Sequence, residues 1–181
     1  ERLAQEYIIV DGHVDIPYRL HNRWEDISQR TERGDFDYVR AKQGGINAPF
    51  TSIYVPSDRE NNGAKLLADS LIDMVYKFEK DWPDKFAVAT SVDAVRRQFT
   101  KKVISLPMGM ENGSPLEGRL ENVKYFADRG IRYITLTHGK DNHICDSSYD
   151  TTHTWKGLSP FGKQVVLEMN RQGIIVDVSH I

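Results

Sequence analysis

The sequence has little cysteine: Cys145 is the single thiol in 181 residues. One cysteine cannot form a disulfide within the chain, so covalent cross-links within this sequence are excluded as a source of stability. A cysteine acts as a nucleophile only where a neighbouring group favours its thiolate. Cys145 lies in a polar segment that suggests no such group, and we therefore interpret it as an ordinary thiol.

Long apolar runs and basic blocks are also missing. No stretch of about 18 apolar residues occurs, so no membrane-spanning helix is predicted. The formal net charge is -2, and the one basic cluster, Arg96-Arg97 with Lys101-Lys102, fits the solvated face of a helix. We therefore expect no nucleic-acid partner. The hydrophobic content of 39% and the charged content of 28% are typical of a globular domain.

Short β-branched runs alternate with amphipathic stretches along the chain. This alternation is typical of βα units built around a parallel sheet. Helices are predicted over 63–81, after the capping residue Ser91, over 116–129, and from Ser159-Pro160 to the stop at Gly173. The main strands are predicted at 7–11, 48–55, 103–110, 131–137 and 174–179, with a minor apolar run at 86–89.

The strand count predicts a fold class and a domain extent. A (β/α)8 TIM-type barrel has eight strands in about 250 residues, and five main strands are predicted here. We therefore expect an α/β fold in which residues 1–181 form the N-terminal part of one barrel domain. The polar segment 139–158 has little periodicity, and a loop of that length in a compact domain tends to be functional.

Four of the five main strands end near a side chain that can bind a metal ion. The first is followed by His13 and Asp15, the third ends at Glu111, and the fourth and fifth end at His138 and His180. In a parallel barrel these ends open on one face, where active sites are built. Mixed imidazole and carboxylate ligands suit Zn²⁺ or a similar divalent ion, and a carboxylate can bridge two ions.

Each of these residues also has an ordinary structural interpretation. His13 fits a hydrogen-bonded, partly buried imidazole, Glu111 fits a capping carboxylate, and His180 fits a satisfied core histidine. Their conjunction favours a metal site, because charged groups gathered at strand ends need a cation to compensate them. The remaining histidines, at positions 21, 143 and 153, are expected to be solvated loop residues.

Five sequence blocks are spread across nearly the whole chain. They are VDGHVDIP at 10–17, GMENG at 109–113, RYITLTH at 132–138, GLSPFG at 157–162 and IVDVSH at 175–180. Together, and in the same order, these blocks resemble segments of the membrane (renal) dipeptidase family. The first resembles that family's N-terminal metal motif, the second its bridging-glutamate segment, the third the segment with its substrate histidine, and the last two the stretch that leads to a further metal histidine.

The resemblance implies a binuclear zinc site that hydrolyses free dipeptides with a metal-bridging hydroxide. By matching position, His13 and Asp15 are expected to bind the first zinc ion, Glu111 to bridge both ions, and His180 to bind the second. His138 is expected to contact the dipeptide and stabilise the tetrahedral intermediate, which makes Glu111 and His138 the catalytic candidates. The resemblance also makes a homodimer possible.

The loop after His138 shares little with the animal members of that family. Asn142 and Asp146 are our candidates for loop residues near the substrate. The family's remaining metal and carboxylate-binding residues would lie beyond residue 181, so we expect residues 1–181 alone to hold metal poorly and to be inactive.

Two other functions remain open from the residues alone. One is a related metal-dependent amidohydrolase, such as an N-acyl amino acid deacylase. Related barrels often begin with His-x-His and use a modified lysine as the bridge, whereas this sequence has Asp15 and Glu111. The other is a catalytically silent binding domain, whose expected sign is the loss of a ligand. Every ligand expected within 1–181 is present.

Overall fold

The computed structural model describes residues 2–181, which form an α/β fold. Strands and helices alternate through most of the chain. The strands are Val10–Val14 (β1), Ala48–Tyr54 (β2), Phe86–Val88 (β3), Ile104–Leu106 (β4), Met108–Glu111 (β5), Ile131–Thr135 (β6) and Ile175–Asp177 (β7). The helices are Arg2–Glu6 (α1), Ile16–Asn22 (α2), Tyr38–Gly44 (α3), Ala64–Asp81 (α4), Val92–Thr100 (α5), Glu121–Asp128 (α6) and Pro160–Gln172 (α7).

The strands form one five-stranded sheet, in the order β1-β2-β5-β6-β7, and one two-stranded sheet, β3-β4. Pairing is parallel between β1 and β2, between β3 and β4, and between β6 and β7. Each parallel pair is connected through a crossover that contains a helix, as this pairing requires. Among the described residues, no helix combines the length and hydropathy needed to cross a membrane.

The chain forms two compact units. The first, residues 2–52 together with 71–108, contains a run of aromatic contacts. Phe78 stacks on Trp82 with ring centroids 6.0 Å apart, and Trp82 meets the edge of Phe86 at 6.2 Å. The second unit, residues 53–70 with 109–181, packs α6 and α7 against β6 and β7. Its buried side chains include Phe126, Ile134, Val165 and Met169.

The predicted helices at 63–81, after Ser91 and after Ser159 are confirmed, and their caps are where the sequence places them. Ser91 accepts a hydrogen bond from the Ala94 amide, and Ser159 accepts one from the Gly162 amide. Gly173 ends α7 in the left-handed region with a φ of 68°. The positions of the serine caps and of the terminal glycine in the sequence therefore predicted these helix ends correctly.

The strands predicted at 131–137 and 174–179 end two residues early, at Thr135 and Asp177, and three other predicted boundaries are wrong. β1 begins at Val10 and includes His13, rather than ending before it. The predicted strand 103–110 is two strands in different sheets, because Pro107 interrupts it and its carbonyl accepts hydrogen bonds from Thr51. The predicted helix 116–129 is a 3-10 turn followed by the shorter α6, since Glu117 and Gly118 adopt positive φ.

Candidate metal centre

Glu111 is placed by the end of β5. It is the last residue of that strand, and only 7% of its surface is exposed. Its carbonyl accepts a hydrogen bond of 3.1 Å from the Val55 amide. Two residues earlier, a Cβ on Gly109 would lie 2.0 Å from the ring of Tyr133. Glycine is therefore needed at this position for β5 to pack beside Tyr133.

His138 follows β6 by three residues. Its imidazole meets the edge of the Tyr54 ring, with centroids 4.9 Å apart and planes inclined at 70°. Its carbonyl accepts a hydrogen bond from the hydroxyl of Ser147, in the long polar loop. The contact with Tyr54 restricts the imidazole, and the bond from Ser147 holds the backbone that carries it.

His180 follows β7 by three residues and adopts a positive φ of 68°. The turn before it is organised by Asp177, whose carboxylate accepts hydrogen bonds from Thr135 and from the amide and hydroxyl of Ser179. The His180 carbonyl accepts a hydrogen bond of 2.9 Å from the Ser148 amide. The backbone at His180 is therefore held from two directions.

The side chains of Glu111, His138 and His180 converge. Nε2 of His180 lies 3.2 Å from Oε1 of Glu111, and Nε2 of His138 lies 3.7 Å from the same oxygen. The imidazole centroids are 4.5 Å apart. One ligand atom from each residue lies within 4.8 Å of those of the other two.

This donor set fits a divalent metal ion. A tetrahedral zinc ion with bonds of about 2.0–2.1 Å holds its ligand atoms about 3.4 Å apart, close to the separations measured from the Glu111 oxygen. Imidazole nitrogens and carboxylate oxygens are ligand types that zinc accepts in proteins. The arrangement also leaves coordination positions open for water or substrate, as hydrolytic zinc sites require.

His13 and Asp15 also come together, in the first compact unit. His13 Nε2 lies 3.4 Å from Asp15 Oδ1. The His13 amide donates to the Asp11 carboxylate at 3.0 Å. Asp15 precedes α2 at the N-cap position but makes no capping hydrogen bond with its side chain. The two residues that the resemblance assigns to the first zinc ion therefore lie side by side.

Asn142 and Asp146, our candidates near the substrate, make internal hydrogen bonds. Both are about 8% exposed. Asp146 accepts hydrogen bonds from the amides of Trp155 and Gly157, at 2.7 and 2.9 Å. Asn142 bonds within its own loop and to the segments that follow Glu111 and precede His138. Substrate contact by either residue stays a prediction.

His143 is not the solvated residue that the sequence suggested. Its Nδ1 lies 2.6 Å from Oε1 of Glu60, a residue that no sequence motif indicates. Burial raises the pKa of Glu60, but hydrogen bonds from His143 and Ser114 outweigh it and hold the pKa below the ordinary value. Glu60 and His143 are 83 positions apart, and no local pattern indicates their pairing.

Cys145 is fully buried. Burial raises the pKa of its thiol to about 12, with a further contribution from the charges of Asp146 and Asp141. The thiol is therefore protonated near neutral pH, and the interpretation of Cys145 as an ordinary thiol agrees with its surroundings.

The sequence matches the family model described as Membrane dipeptidase (Peptidase family M19) over residues 1–181. The chain belongs to this family. A dipeptidase of Schizosaccharomyces pombe, described as uncharacterised, is 34% identical over 95% of the chain, and Dipeptidase 3 of Mus musculus is 32% identical over 98%. The chain spans 46% and 37% of these two proteins, less than half of their length.

Solved structures confirm the fold of this membrane dipeptidase family member. The probable dipeptidase PvdM from Pseudomonas aeruginosa superposes with a TM-score of 0.87 at 24% identity, over 99% of this chain and 48% of that one. A metallo peptidase from Rhodobacter sphaeroides, liganded with a phosphinate mimic of the dipeptide L-Ala-D-Ala, gives 0.84 at 23% identity, over 96% and 59%. The predicted (β/α)8-barrel fold class, with only part of the strands in this chain, is confirmed.

Proposed function

We propose that the whole protein is a zinc-dependent dipeptidase that hydrolyses the peptide bond of free dipeptides at a binuclear site. The observation that carries this proposal is the convergence of Glu111, His138 and His180. Membership of the membrane dipeptidase family supports the substrate class. Family members named as dipeptidases, and a related fold with a dipeptide mimic bound, are consistent with it.

Each residue has a proposed role. Glu111 would hold both zinc ions, and His180 would bind one of them. His13 and Asp15 would bind the other, an assignment that rests on the motif they share with the family. When bound, zinc lowers the pKa of water so that a nucleophile is available at neutral pH.

His138 has a different proposed task. Its Nε2 faces the carboxylate of Glu111 at 3.7 Å, so it lies beside the proposed reaction centre. An N–H of this imidazole would donate to the carbonyl oxygen of the dipeptide as negative charge develops there. A preorganised donor of this kind stabilises the transition state more than the substrate. The contact with Tyr54 would keep the ring in place.

An assay of the whole protein tests this function. L-Ala-L-Ala, L-Ala-D-Ala and N-acetyl-Ala are offered in parallel, each with and without a chelator. We expect cleavage of the free dipeptides, loss of activity with the chelator, and recovery with Zn²⁺. Cleavage of N-acetyl-Ala in preference to dipeptides would instead indicate a deacylase, and the absence of metal-dependent activity a binding domain.

A Glu111→Gln variant locates the activity at the proposed site. Glutamine keeps the shape of the side chain but removes the charge and the ability to bridge two cations, so we expect loss of most bound zinc and at least about a 100-fold fall in kcat/KM. Glu121→Gln, an exposed change in the first turn of α6, is the control and should behave as wild type. Full activity in the Glu111 variant would contradict the assignment.

A further inference from the structure

The segments that carry Glu111 and His138 are joined by two buried asparagines, Asn112 and Asn142. Nδ2 of Asn142 donates to Oδ1 of Asn112 at 3.1 Å and to the carbonyl of Leu136 at 2.8 Å. Asn112 directly follows Glu111, and Leu136 lies two residues before His138. The Asn142 side chain therefore connects the side chain of the residue after one proposed metal ligand with the backbone just before the proposed substrate histidine.

The other end of Asn142 is fixed as well. Its Oδ1 accepts hydrogen bonds from the amides of Ile144 and Cys145, at 2.8 and 3.1 Å. Both hydrogens of its amide group and its oxygen are thus used inside the protein. These bonds hold the side chain in one orientation, with its two donors directed at Asn112 and Leu136.

Asn112 fixes the backbone at Glu111. Its Nδ2 donates to the carbonyl of Val55 at 2.8 Å, while the Val55 amide donates to the carbonyl of Glu111 at 3.1 Å. Its Oδ1 also accepts from the Ser114 amide at 3.2 Å. Asn112 has a φ of 75°, a conformation that asparagine adopts at less cost than most other residues with a side chain.

Burial of the two asparagines favours this one arrangement of their hydrogen bonds. Asn112 is 1% exposed and Asn142 is 8% exposed. A buried amide that loses its partner is not compensated by water, so alternative arrangements of the two side chains are costly. The fully bonded pair therefore restricts where Glu111 and the segment before His138 lie relative to each other.

We propose that Asn112 and Asn142 are positioning residues that hold Glu111 at a fixed place relative to His138, and that the affinity for a divalent cation depends on this placement of Glu111. This inference rests on the proposed function, because it assumes that the cluster binds metal. It differs from the sequence-based interpretation of Asn142, which placed this residue near the substrate. In this proposal Asn142 acts instead through the segments that carry Glu111 and His138.

The first test measures Co²⁺ binding to the whole protein by its visible absorption, in wild type and in Asn142→Asp. In the variant, one carboxylate oxygen can still accept from the amides of Ile144 and Cys145. The other oxygen replaces the NH2 group and faces two acceptors, Oδ1 of Asn112 and the carbonyl of Leu136. We expect Co²⁺ affinity to fall by about 10–100-fold, the usual cost of losing a group that orients a metal ligand. The added negative charge would by itself favour cation binding, so it cannot produce this fall.

Asn122→Asp is the matched control. Asn122 is also buried, in the same compact unit, and its Nδ2 donates to a backbone carbonyl, that of Leu116, at 3.0 Å. The same chemical change there should lower the melting temperature by a similar amount and leave the Co²⁺ affinity and spectrum as in wild type. Equal losses of Co²⁺ affinity in Asn122→Asp and Asn142→Asp would mean a merely structural role and would overturn the inference.

Asn112→Gly provides a second test if Asn142→Asp does not fold. Glycine accepts the positive φ of Asn112 without strain, so this variant removes the side-chain bonds and keeps the backbone. We expect weaker Co²⁺ binding and a shifted spectrum. Wild-type affinity in Asn112→Gly would overturn the positioning role alone, whereas a wild-type protein that binds no Co²⁺ would overturn the proposed function and this inference together.

Discussion

At the scale of single residues, the candidate site uses backbone conformations that most side chains avoid. Asn112, next to Glu111, has a φ of 75°, and His180 has a φ of 68°. A residue with a Cβ costs roughly 1–2 kcal/mol in this region, so the surrounding hydrogen bonds must hold it there. The bonds from Val55 and Ser148 to these segments supply that constraint. Such strain is typical of functional sites.

The Cys145 thiol gives a prediction at this scale. Its pKa is raised to about 12 by burial, so the thiolate is nearly absent in the folded protein at pH 8. We expect no reaction with Ellman's reagent at pH 8 under native conditions, and one thiol per chain after unfolding in guanidinium chloride. The folded state holds the thiol proton more tightly than the unfolded state does. The resulting contribution to the free energy of unfolding is fully present below the ordinary pKa of 9.0 and is lost as the pH rises towards 12. Rapid labelling of the native protein would contradict the buried placement.

Single residues also explain which parts of the site the sequence could predict. Glu111, His138 and His180 were identifiable because strands end near chemically active side chains, and that rule depends only on local pattern. Glu60 and the amide bridge between Asn112 and Asn142 were not identifiable. Their bonds join segments 83 and 30 positions apart, and only the folded chain brings those segments together.

At the scale of helices and strands, the predictions succeeded where a single residue controls a boundary. Ser91, Ser159 and Gly173 mark helix ends through their own side chains or φ angles. The prediction failed at 103–110, because it followed the apolar run through Pro107, and a proline inside such a run interrupts the strand. The short helices α2 and α3 were missed, since their seven residues give too little periodicity to detect.

Two helical glycines offer a prediction at this scale. A Cβ on Gly162, in α7, would lie 2.1 Å from the carbonyl oxygen of Ile144, and this backbone atom cannot move without disturbing the loop that contains Asn142. A Cβ on Gly44, in α3, would have no heavy atom within 4 Å. We expect Gly162→Ala to destabilise the protein by about 1–3 kcal/mol through overpacking.

The matched variant Gly44→Ala is expected to be neutral or to stabilise by up to about 1 kcal/mol, because alanine has the higher helix propensity. Urea unfolding of the two variants gives the comparison directly. Similar stability of both variants would mean that α7 does not lie against the polar loop as closely as the structure places it.

At the scale of the whole molecule, a set of carboxylates with lowered pKa values links folding to pH. The set consists of Asp37, Glu60, Asp141, Asp150 and Glu168. Burial raises the pKa of these carboxyl groups, but hydrogen bonds to the charged form outweigh it and hold the pKa values below the ordinary ones. The unfolded chain therefore binds protons at a higher pH than the folded chain does. Their contribution to stability is complete above the ordinary carboxylate values of 3.8 and 4.5 and is lost as the pH falls through the lower values of the folded state.

We therefore expect the free energy of unfolding to decrease steadily as the pH is lowered below about 4.5, and urea titrations at intervals between pH 7 and pH 3 would measure this.

Glu60→Gln removes one member of the set and weakens its bonds to His143 and Ser114. This variant should be less stable than wild type at pH 7, and the difference should shrink at low pH, where Glu60 of the wild type becomes protonated. Glu32→Gln, an exposed change in a loop, should leave the curve unchanged. A constant difference between Glu60→Gln and wild type across the whole range would show that the charge of Glu60 contributes nothing to folding, and that its side chain acts through shape alone.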